Sequence, residues 1–253
     1  MRTTILAAAT LSFAAFGANA GEPVDYTVNG EAYQGYFAPA EGAEGGSKGL
    51  VLIVHDWDGL TAYEERRADM LAEMGYDAFA LDLFGAGNRP ETTDARRAET
   101  GKLYQDREAM RARLVGGLEE ARRQGGGDGA VVMGYCFGGA AVLELARSGM
   151  ADGVAGYVTF HGGLATPEGQ DYPDDTPPIL IAHGGADTSI SISDAAELAK
   201  TLEDKGITYE LEVYSGAPHG FTEFGSDRYQ ERADEKSWTS FTNFLERYLS
   251  QES

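Results

Sequence analysis

The chain has 253 residues, a net charge of −21 from 41 acidic and 20 basic residues, and one cysteine. A charge of that sign and size repels a phosphate backbone, so nucleic acid is excluded as an expected partner. We interpret the many carboxylates as a solubilising surface. Because one cysteine cannot close an internal disulfide, Cys136 is expected to be either buried and inert or kept for its reactivity.

The first twenty residues have the pattern of a secretory signal peptide. A short basic start precedes an apolar run over residues 5–16, and small residues follow at Ala18 and Ala20. The apolar run is too short to span a bilayer, and no later stretch approaches the roughly 20 apolar residues that a spanning helix needs. We therefore expect residues 1–20 to be cleaved, and residues 21–253 to form one domain that is periplasmic or secreted.

The first half of the remaining chain alternates between strand and helix patterns. A hairpin is predicted over residues 24–38, because Asn29-Gly30 suits a type I′ turn. A glycine-rich loop over 41–49 leads to an apolar strand over 50–54, of the kind buried on both faces of a parallel sheet. The next elements are a helix with apolar positions at Tyr63, Met70, Leu71 and Met74 that ends at Gly75, and a strand over 76–81.

The second half continues the alternation. One long helix is predicted from Leu103, Met110, Leu114 and Ala121, ended by the glycines of 125–129, and is followed by a strand over 130–134 and a helix over 140–146. Strands over 154–160, 179–182 and 209–214 follow, with a helix on Ala195, Leu198, Ala199 and Leu202 that has Asp194 and Glu197 as its cap and Gly206 as its end, and a last helix from Trp238 to Leu249. This order predicts an α/β fold: a mostly parallel sheet with helices on both faces, an N-terminal antiparallel hairpin, and sites at the carboxyl ends of the strands.

The hexapeptide GYCFGG, residues 134–139, lies where a predicted strand must turn directly into a helix. Such a turn places its central residue in strained dihedral angles, and glycines on either side let the chains pass closely. Gly134 and Gly138 stand two residues before and after Cys136, which matches the G-x-S-x-G nucleophile elbow with sulfur in place of oxygen. Glycines used only for packing around a buried thiol would give the same hexapeptide.

A catalytic thiol needs a base, and the base needs a group that orients it. His219 lies in the loop after the last predicted strand, and Asp187 follows the preceding strand. The order Cys136, Asp187, His219 is the one expected for an elbow scaffold. Three such groups after three strand ends favour a catalytic triad over a solvated loop histidine.

The other histidines are given lesser roles, and the motifs predict no cofactor. His55 is expected to shape the loop of the second oxyanion donor, whereas His161 and His183 are interpreted as packing residues or as residues that support the triad indirectly. The chain has no H-E-x-x-H pattern, cysteine cluster, dinucleotide fingerprint or Walker loop, so we predict no metal and no cofactor. Two alternatives stay open: a non-catalytic binding protein on a hydrolase scaffold, and a thiol redox protein, although a lone cysteine lacks a resolving partner.

Five short motifs give the chain its resemblance to a known family. These are DLFG at 82–85, GYCFGG at 134–139, FHGG at 160–163, HGGAD at 183–187 and APHGF at 217–221. With them the chain resembles the dienelactone hydrolase family of α/β hydrolases from about Val24 to Leu249. The resemblance implies an α/β-hydrolase fold and hydrolysis of a small ester or lactone through a thioester. It also implies backbone N–H groups of Phe137 and Trp57 as oxyanion donors, the first of which follows from the elbow geometry as well.

The chain departs from that family at two places. Where the family has a glutamate that contacts the resting thiol, this sequence has Asp56, which is one methylene shorter. Members that cleave dienelactone hold its carboxylate with two arginines; Arg97 matches the first, but the second falls near Glu223. We therefore expect a neutral ester or lactone as the small-molecule substrate, met outside the cytoplasm by a monomer.

Overall fold

The computed structural model describes residues 21–42, 46–125 and 129–249. The predicted signal peptide, residues 1–20, lies outside the described residues, as do parts of both glycine-rich loops. Within the described ranges, no helix combines the length and the apolar character that crossing a bilayer requires.

The described residues form one eight-stranded sheet and six helices. The strands are β1 (Glu22–Val28), β2 (Glu31–Ala38), β3 (Leu50–Val54), β4 (Asp77–Leu81), β5 (Ala130–Tyr135), β6 (Val154–Phe160), β7 (Ile179–Gly184) and β8 (Tyr209–Tyr214). The helices are α1 (Ala62–Glu73), α2 (Thr93–Gln105), α3 (Arg107–Gln124), α4 (Phe137–Ser148), α5 (Ile192–Lys205) and α6 (Glu231–Leu249).

The strand order is β1-β2-β4-β3-β5-β6-β7-β8. β1 and β2 pair antiparallel, as do β2 and β4. The other neighbouring strands in this order, from β4 to β8, all pair parallel. The mostly parallel sheet and the N-terminal hairpin are therefore confirmed. Asn29 and Gly30 have φ values of 52° and 84°, as the predicted type I′ turn requires.

Each face of the sheet has its own apolar core. Alternate residues of β3 show the division: Leu50 and Leu52 join the core under α3, α4 and α5, whereas Val51 and Ile53 join the core under α1 and α6. Because both faces are covered, all five residues of β3 are buried, which explains the unbroken apolar run in the sequence.

The helix predicted as continuous from Leu103 to Ala121 is two helices. α2 ends at Gln105, and Asp106 leaves helical geometry with φ −119° and ψ 78°. The Asp106 side chain accepts a hydrogen bond from the N–H of Ala109 at 2.9 Å and so caps α3. The break matters for the site, because Tyr104 and Arg107 lie on either side of it.

Two other helix starts differ from the sequence expectations. α4 begins at Phe137, directly after Cys136, because the elbow leads into the helix with no intervening loop. Ser191 caps α5, while Asp194, which was expected to be part of the cap with Glu197, is the third residue of the helix and completes the capping box. Its carboxylate accepts hydrogen bonds from the N–H of Ser191 at 2.7 Å and from its hydroxyl at 2.8 Å.

Candidate active site

Cys136 occupies the apex of a strained turn between β5 and α4. Its φ of 47° and ψ of −108° lie outside the regions that residues with side chains normally adopt. A Cβ atom on Gly138 would lie 2.2 Å from the carbonyl oxygen of Val54, and one on Gly134 would lie 2.4 Å from the carbonyl carbon of Gly138. The two glycines are therefore required for the turn to pass this close to β3.

The structure brings Cys136, His219 and Asp187 together at the carboxyl ends of three strands. Nε2 of His219 lies 3.0 Å from Sγ of Cys136, and Nδ1 lies 2.8 Å from Oδ2 of Asp187. Burial raises the pKa of Asp187, but the hydrogen bonds from His219 and from the N–H of Ile190 outweigh it and lower the pKa below its ordinary value. An ionised Asp187 accepts a hydrogen bond from Nδ1–H, which leaves the lone pair of Nε2 directed at the thiol.

The thiol and the Asp56 carboxyl group influence each other. Burial raises the pKa of Cys136 well above its ordinary value, the Asp56 carboxylate raises it further, and the N–H of Phe137 opposes the rise. Burial also raises the pKa of Asp56 to about 6, against the lowering effect of its hydrogen bond from the N–H of Trp57. The resting thiol is therefore protonated.

The two expected oxyanion donors, the N–H groups of Phe137 and Trp57, differ in their hydrogen-bond partners. Phe137 is the first residue of α4, a position at which a helical N–H has no partner within the helix. The N–H of Trp57, by contrast, donates a short hydrogen bond to Oδ1 of Asp56. A substrate oxygen that uses the Trp57 N–H must take the place of the Asp56 carboxylate.

His55 fixes the loop that carries Asp56 and Trp57. Its Nε2 accepts a hydrogen bond from the N–H of Leu83 at 3.1 Å, and its Nδ1 lies 2.5 Å from the carbonyl oxygen of Asp56. Because burial lowers the pKa of His55 to about 4, the ring is neutral and Nδ1–H donates to that carbonyl. The geometry agrees with the expected role in shaping the loop.

The remaining histidines differ in their contact with the triad. The His161 ring lies edge-on to the ring of His219, with 5.3 Å between centroids, and its Nε2 lies 2.8 Å from Oγ1 of Thr222. Burial lowers the pKa of His161 well below its ordinary value. His183 is buried, and neither of its ring nitrogens has a hydrogen-bond partner among the described residues.

Thr222 anchors the loop that carries the base, and no sequence pattern predicts this role. The hydroxyl of Tyr63 donates to Oγ1 of Thr222 at 2.8 Å, and Nη2 of Arg67 donates to the Thr222 carbonyl oxygen at 3.0 Å. Arg67 in turn forms a buried ion pair with Asp234 of α6. Nothing in a single sequence distinguishes this threonine from others, because its partners come from distant segments.

A small polar cavity of about 30 Å³ lies on the α1 side of the site. We call it the acidic cavity; its lining residues are Asp56, Asp58, Thr61, Tyr63, Glu64, His161, Thr222 and Glu223. Glu64 belongs to the capping box of α1, and its Oε1 also accepts a hydrogen bond from the N–H of Asp56 at 3.4 Å. Burial raises the pKa of Glu64 to about 8.

Arg97 and Glu223, the two residues expected to line the substrate pocket, lie in different surroundings. Glu223 does line the acidic cavity, but its carboxylate is paired with Arg228, so its charge is balanced locally. Arg97 is exposed on α2, and its neighbour Arg96 faces the site instead. The Arg96 guanidinium lies 5.5 Å from the ring centre of Trp57. Because successive helical residues point about 100° apart, Arg96 and Arg97 face different surroundings.

A larger cavity of about 420 Å³ lies on the opposite face of the sheet, beside α4. We call it the arginine cavity; it is lined by Tyr104, Arg107, Ala140, Arg147, Gly163, Leu164, Ala165, Pro167, Ile190 and Asp194. The Tyr104 ring packs edge-on against Phe137, with 5.4 Å between centroids. No sequence motif marks these side chains as site residues, because the break between α2 and α3 depends on tertiary contacts.

No group of three or more His, Cys, Asp or Glu side chains is placed to hold a metal ion in the part of the chain that the structure describes.

The sheet order and the cysteine elbow between β5 and α4 define an α/β hydrolase. The chain belongs to the dienelactone hydrolase family, whose sequence profile matches residues 34–249. It is accordingly a hydrolase of carboxylic esters or lactones.

Three similar proteins illustrate the relationship. A probable 2-oxo-3-(5-oxofuran-2-ylidene)propanoate lactonase of a Bradyrhizobium species is 26% identical, over 89% of this chain and 94% of its own. A carboxymethylenebutenolidase of Pseudomonas putida is 29% identical, over 71% of this chain and 78% of its own. The crystal structure of a dienelactone hydrolase-like promiscuous phosphotriesterase from metagenomic libraries superposes with a TM-score of 0.81 at 27% identity, over 90% of this chain and 98% of that one.

Proposed function

We propose that the enzyme cleaves small esters or lactones through a Cys136-His219-Asp187 triad and a thioester intermediate. The observation that carries the proposal is the position of His219, whose two ring nitrogens lie within hydrogen-bond distance of the thiol and of the Asp187 carboxylate. That arrangement couples a nucleophile, a base and an orienting group in one line.

In the acylation step Sγ of Cys136 attacks the substrate carbonyl carbon while its proton passes to Nε2 of His219. The carbonyl oxygen takes up negative charge and accepts hydrogen bonds from the N–H groups of Phe137 and Trp57. The tetrahedral intermediate then collapses, the C–O bond breaks, and His219 returns the proton to the departing alkoxide. From an ester the alcohol leaves; from a lactone the ring opens and the new hydroxyl stays attached to the acyl group.

In the deacylation step water attacks the thioester carbonyl carbon. His219 takes one proton from the water and delivers it to the departing thiolate, so that the thiol and the neutral base are restored. Asp187 stabilises the imidazolium in both steps without itself taking up the proton.

Asp56 keeps the Cys136 thiol protonated, and therefore weakly nucleophilic, in the resting enzyme. Its carboxylate accepts the hydrogen bond of the Trp57 N–H and raises the pKa of the Cys136 thiol. A substrate carbonyl oxygen that takes over the Trp57 N–H displaces this carboxylate and removes its effect on the thiol. Activation of the thiol therefore accompanies substrate binding.

A panel of p-nitrophenyl esters and small lactones, assayed on wild type, Cys136→Ala and Cys136→Ser, tests the proposal. We expect turnover by wild type and its loss in both variants. Alanine offers no nucleophilic atom, and a serine hydroxyl is a much weaker acid than a thiol, so His219 deprotonates it less readily. A binding protein on the same scaffold would turn over nothing, and an enzyme that uses another nucleophile would retain its activity in Cys136→Ala.

We also propose that the enzyme is exported, with cleavage after Ala20. The support is the sequence pattern of residues 1–20, an apolar run followed by small residues at Ala18 and Ala20. Expression of the full chain in a Gram-negative host, followed by fractionation and N-terminal sequencing, tests it. We expect a periplasmic or secreted protein that begins at Gly21; an uncleaved cytoplasmic product would contradict the proposal.

A further inference from the structure

His55 holds the peptide group that carries the second expected oxyanion donor. The C=O of Asp56 and the N–H of Trp57 belong to one planar trans peptide, so they point in opposite directions. Nδ1 of His55 lies 2.5 Å from the Asp56 carbonyl oxygen. A hydrogen bond at that oxygen therefore fixes the plane of the peptide and, with it, the direction of the Trp57 N–H.

The direction of this hydrogen bond follows from the other ring nitrogen of His55. The N–H of Leu83 donates to Nε2 at 3.1 Å, so Nε2 carries a lone pair and no proton. In a neutral imidazole the proton is then on Nδ1, which donates to the carbonyl oxygen of Asp56. Because burial lowers the pKa of His55 to about 4, the ring is neutral at the pH at which the thiol reacts.

The DLFG motif, residues 82–85, supports the far edge of the imidazole. Asp82 is fully buried, and its Oδ1 accepts hydrogen bonds from the N–H groups of Phe84 at 2.9 Å and Gly85 at 3.1 Å. The Phe84 ring is inclined at 66° to the ring of His55, with 4.7 Å between centroids. The turn built around Asp82 thus holds both the N–H of Leu83 and the Phe84 ring against His55.

These contacts form one continuous chain of hydrogen bonds. It runs from the N–H of Leu83 through the imidazole of His55 to the peptide that carries the Trp57 N–H. Hydrogen bonds in such a chain polarise one another, and they are electrostatically stronger in a buried site of low dielectric constant. A donor at the Asp56 carbonyl oxygen therefore makes the Trp57 N–H a stronger donor as well as a better oriented one.

We propose that His55 is a positioning residue for the hydrolysis, which orients and polarises the Asp56–Trp57 peptide so that the N–H of Trp57 binds the oxyanion. The inference rests on the proposed hydrolase function. It goes beyond the shape of the loop, because it assigns part of the oxyanion stabilisation to a side chain that does not touch the substrate. It also gives the DLFG motif a role in the reaction, since the N–H of Leu83 fixes the tautomer of His55.

Two amide variants separate the roles of the two ring nitrogens. Counted in bonds from Cβ, the amide nitrogen of an asparagine corresponds to Nδ1 of a histidine, and the amide oxygen of a glutamine corresponds to Nε2. His55→Asn therefore keeps a donor for the Asp56 carbonyl oxygen and loses the acceptor for Leu83, whereas His55→Gln keeps that acceptor and loses the donor. Both place a neutral amide in the same buried site, so each is the matched control of the other.

His55→Gln should lower kcat for a neutral p-nitrophenyl ester more than His55→Asn does, with little change in KM. The oxyanion forms only on the way to the transition state, so its stabilisation appears in kcat. Because loss of a whole oxyanion donor costs on the order of 10²–10³-fold, and here the Trp57 N–H remains but is less well held, we expect a loss of about 10-fold in His55→Gln. His55→Asn should retain most of the wild-type kcat.

A reversible covalent inhibitor tests the oxyanion site separately from the thiol. A trifluoromethyl ketone adds to Cys136: the Sγ–C bond forms, the electron pair of the C=O π bond moves to oxygen, and the thiol proton passes to Nε2 of His219. The oxygen of this adduct occupies the oxyanion site, so the affinity of the ketone should fall in His55→Gln by the same factor as kcat/KM. Alkylation by iodoacetamide displaces iodide from a saturated carbon and forms no oxyanion, so its rate should stay near the wild-type value.

Three results would overturn the inference. The first is a kcat in His55→Gln that is no lower than that in His55→Asn, and the second is an alkylation rate in His55→Gln that falls in step with kcat. The third needs no variant to fold: side-chain 15N spectra of wild type should show the Nδ1–H tautomer of His55, and the Nε2–H tautomer would contradict the hydrogen-bond chain. Failure of the proposed function would look different, as a wild-type enzyme that forms no adduct with the ketone or a Cys136→Ala variant that does.

Discussion

The acidic cavity and the arginine cavity lie on opposite faces of the sheet and differ in charge, size and wall. The acidic cavity, about 30 Å³, is lined by four carboxyl side chains together with His161 and Thr222, and it has room for about one water molecule. The arginine cavity, about 420 Å³, has an apolar wall and a floor of arginines. Only the second has the volume for a substrate.

The two cavities also differ in what their charged groups do. On the acidic side, the Asp56 carboxylate raises the pKa of the Cys136 thiol and occupies the N–H of Trp57. On the opposite face of the sheet, Arg107, Arg111 and Arg147 surround the buried Glu144. The carboxylate that acts on the thiol therefore belongs to the acidic cavity, and the arginines of the other cavity are partly neutralised by Glu144.

We expect the strongest loss of activity when the base, His219, is removed. His219→Ala should lower kcat by on the order of 10³-fold or more, because His219 is the group whose Nε2 lies 3.0 Å from the thiol and whose other ring nitrogen is oriented by Asp187. Asp187→Asn should cost less, since Asp187 orients and stabilises the imidazole without taking the proton. Steady-state kinetics on one neutral ester measure both.

His161→Ala serves as the comparison for that prediction, because its ring contacts His219 but has no hydrogen bond to the thiol. If His161→Ala abolished turnover while His219→Ala retained it, the assignment of the base would be wrong.

The elbow and the order of the triad residues could be predicted because they are local features of the sequence. The glycines two residues before and after Cys136 can be recognised in the sequence alone, as can the polar groups that follow successive strands. Neither pattern depends on contacts between distant segments. The arginine cavity could not be predicted in this way. It depends on the break at Asp106 and on the approach of α3 to Glu144 of α4, contacts across more than 30 residues of sequence.

Asp56→Asn tests the effect of the Asp56 carboxylate on the pKa of the Cys136 thiol. Removing the carboxylate lowers the pKa of the Cys136 thiol, because one cause of its rise is lost, so the thiolate fraction at a given pH increases. The pH midpoint of iodoacetamide alkylation should fall, with a rate near neutral pH about tenfold higher if the shift is one pH unit. A midpoint that rises instead would mean that Asp56 takes the thiol proton in the resting enzyme.

Thr222→Val should have a smaller effect on turnover and a clear effect on stability. The substitution keeps the shape of the side chain but removes the acceptor of the Tyr63 O–H and the partner of Nε2 of His161, at a cost of about 1–3 kcal/mol of unfolding free energy. We expect kcat to fall several-fold with little change in KM, because the loop that carries His219 is less well held. Urea unfolding and steady-state kinetics measure the two effects.

Thr239→Val is the control, since Thr239 is exposed on α6 and its hydroxyl bonds only within that helix. A loss of stability in Thr222→Val with kcat and its pH profile unchanged would show that Thr222 supports the fold and not the base.

The most direct test of the account is to trap the acyl group on the enzyme. A slowly hydrolysed ester is mixed with the protein, the reaction is quenched in acid, and intact mass is followed by peptide mapping. A thioester intermediate on Cys136 predicts an added acyl mass on the peptide that contains this residue. The added mass should be present in Asp187→Asn and absent in Cys136→Ala. Continued turnover with the acyl group on another residue, or in Cys136→Ala, would contradict it.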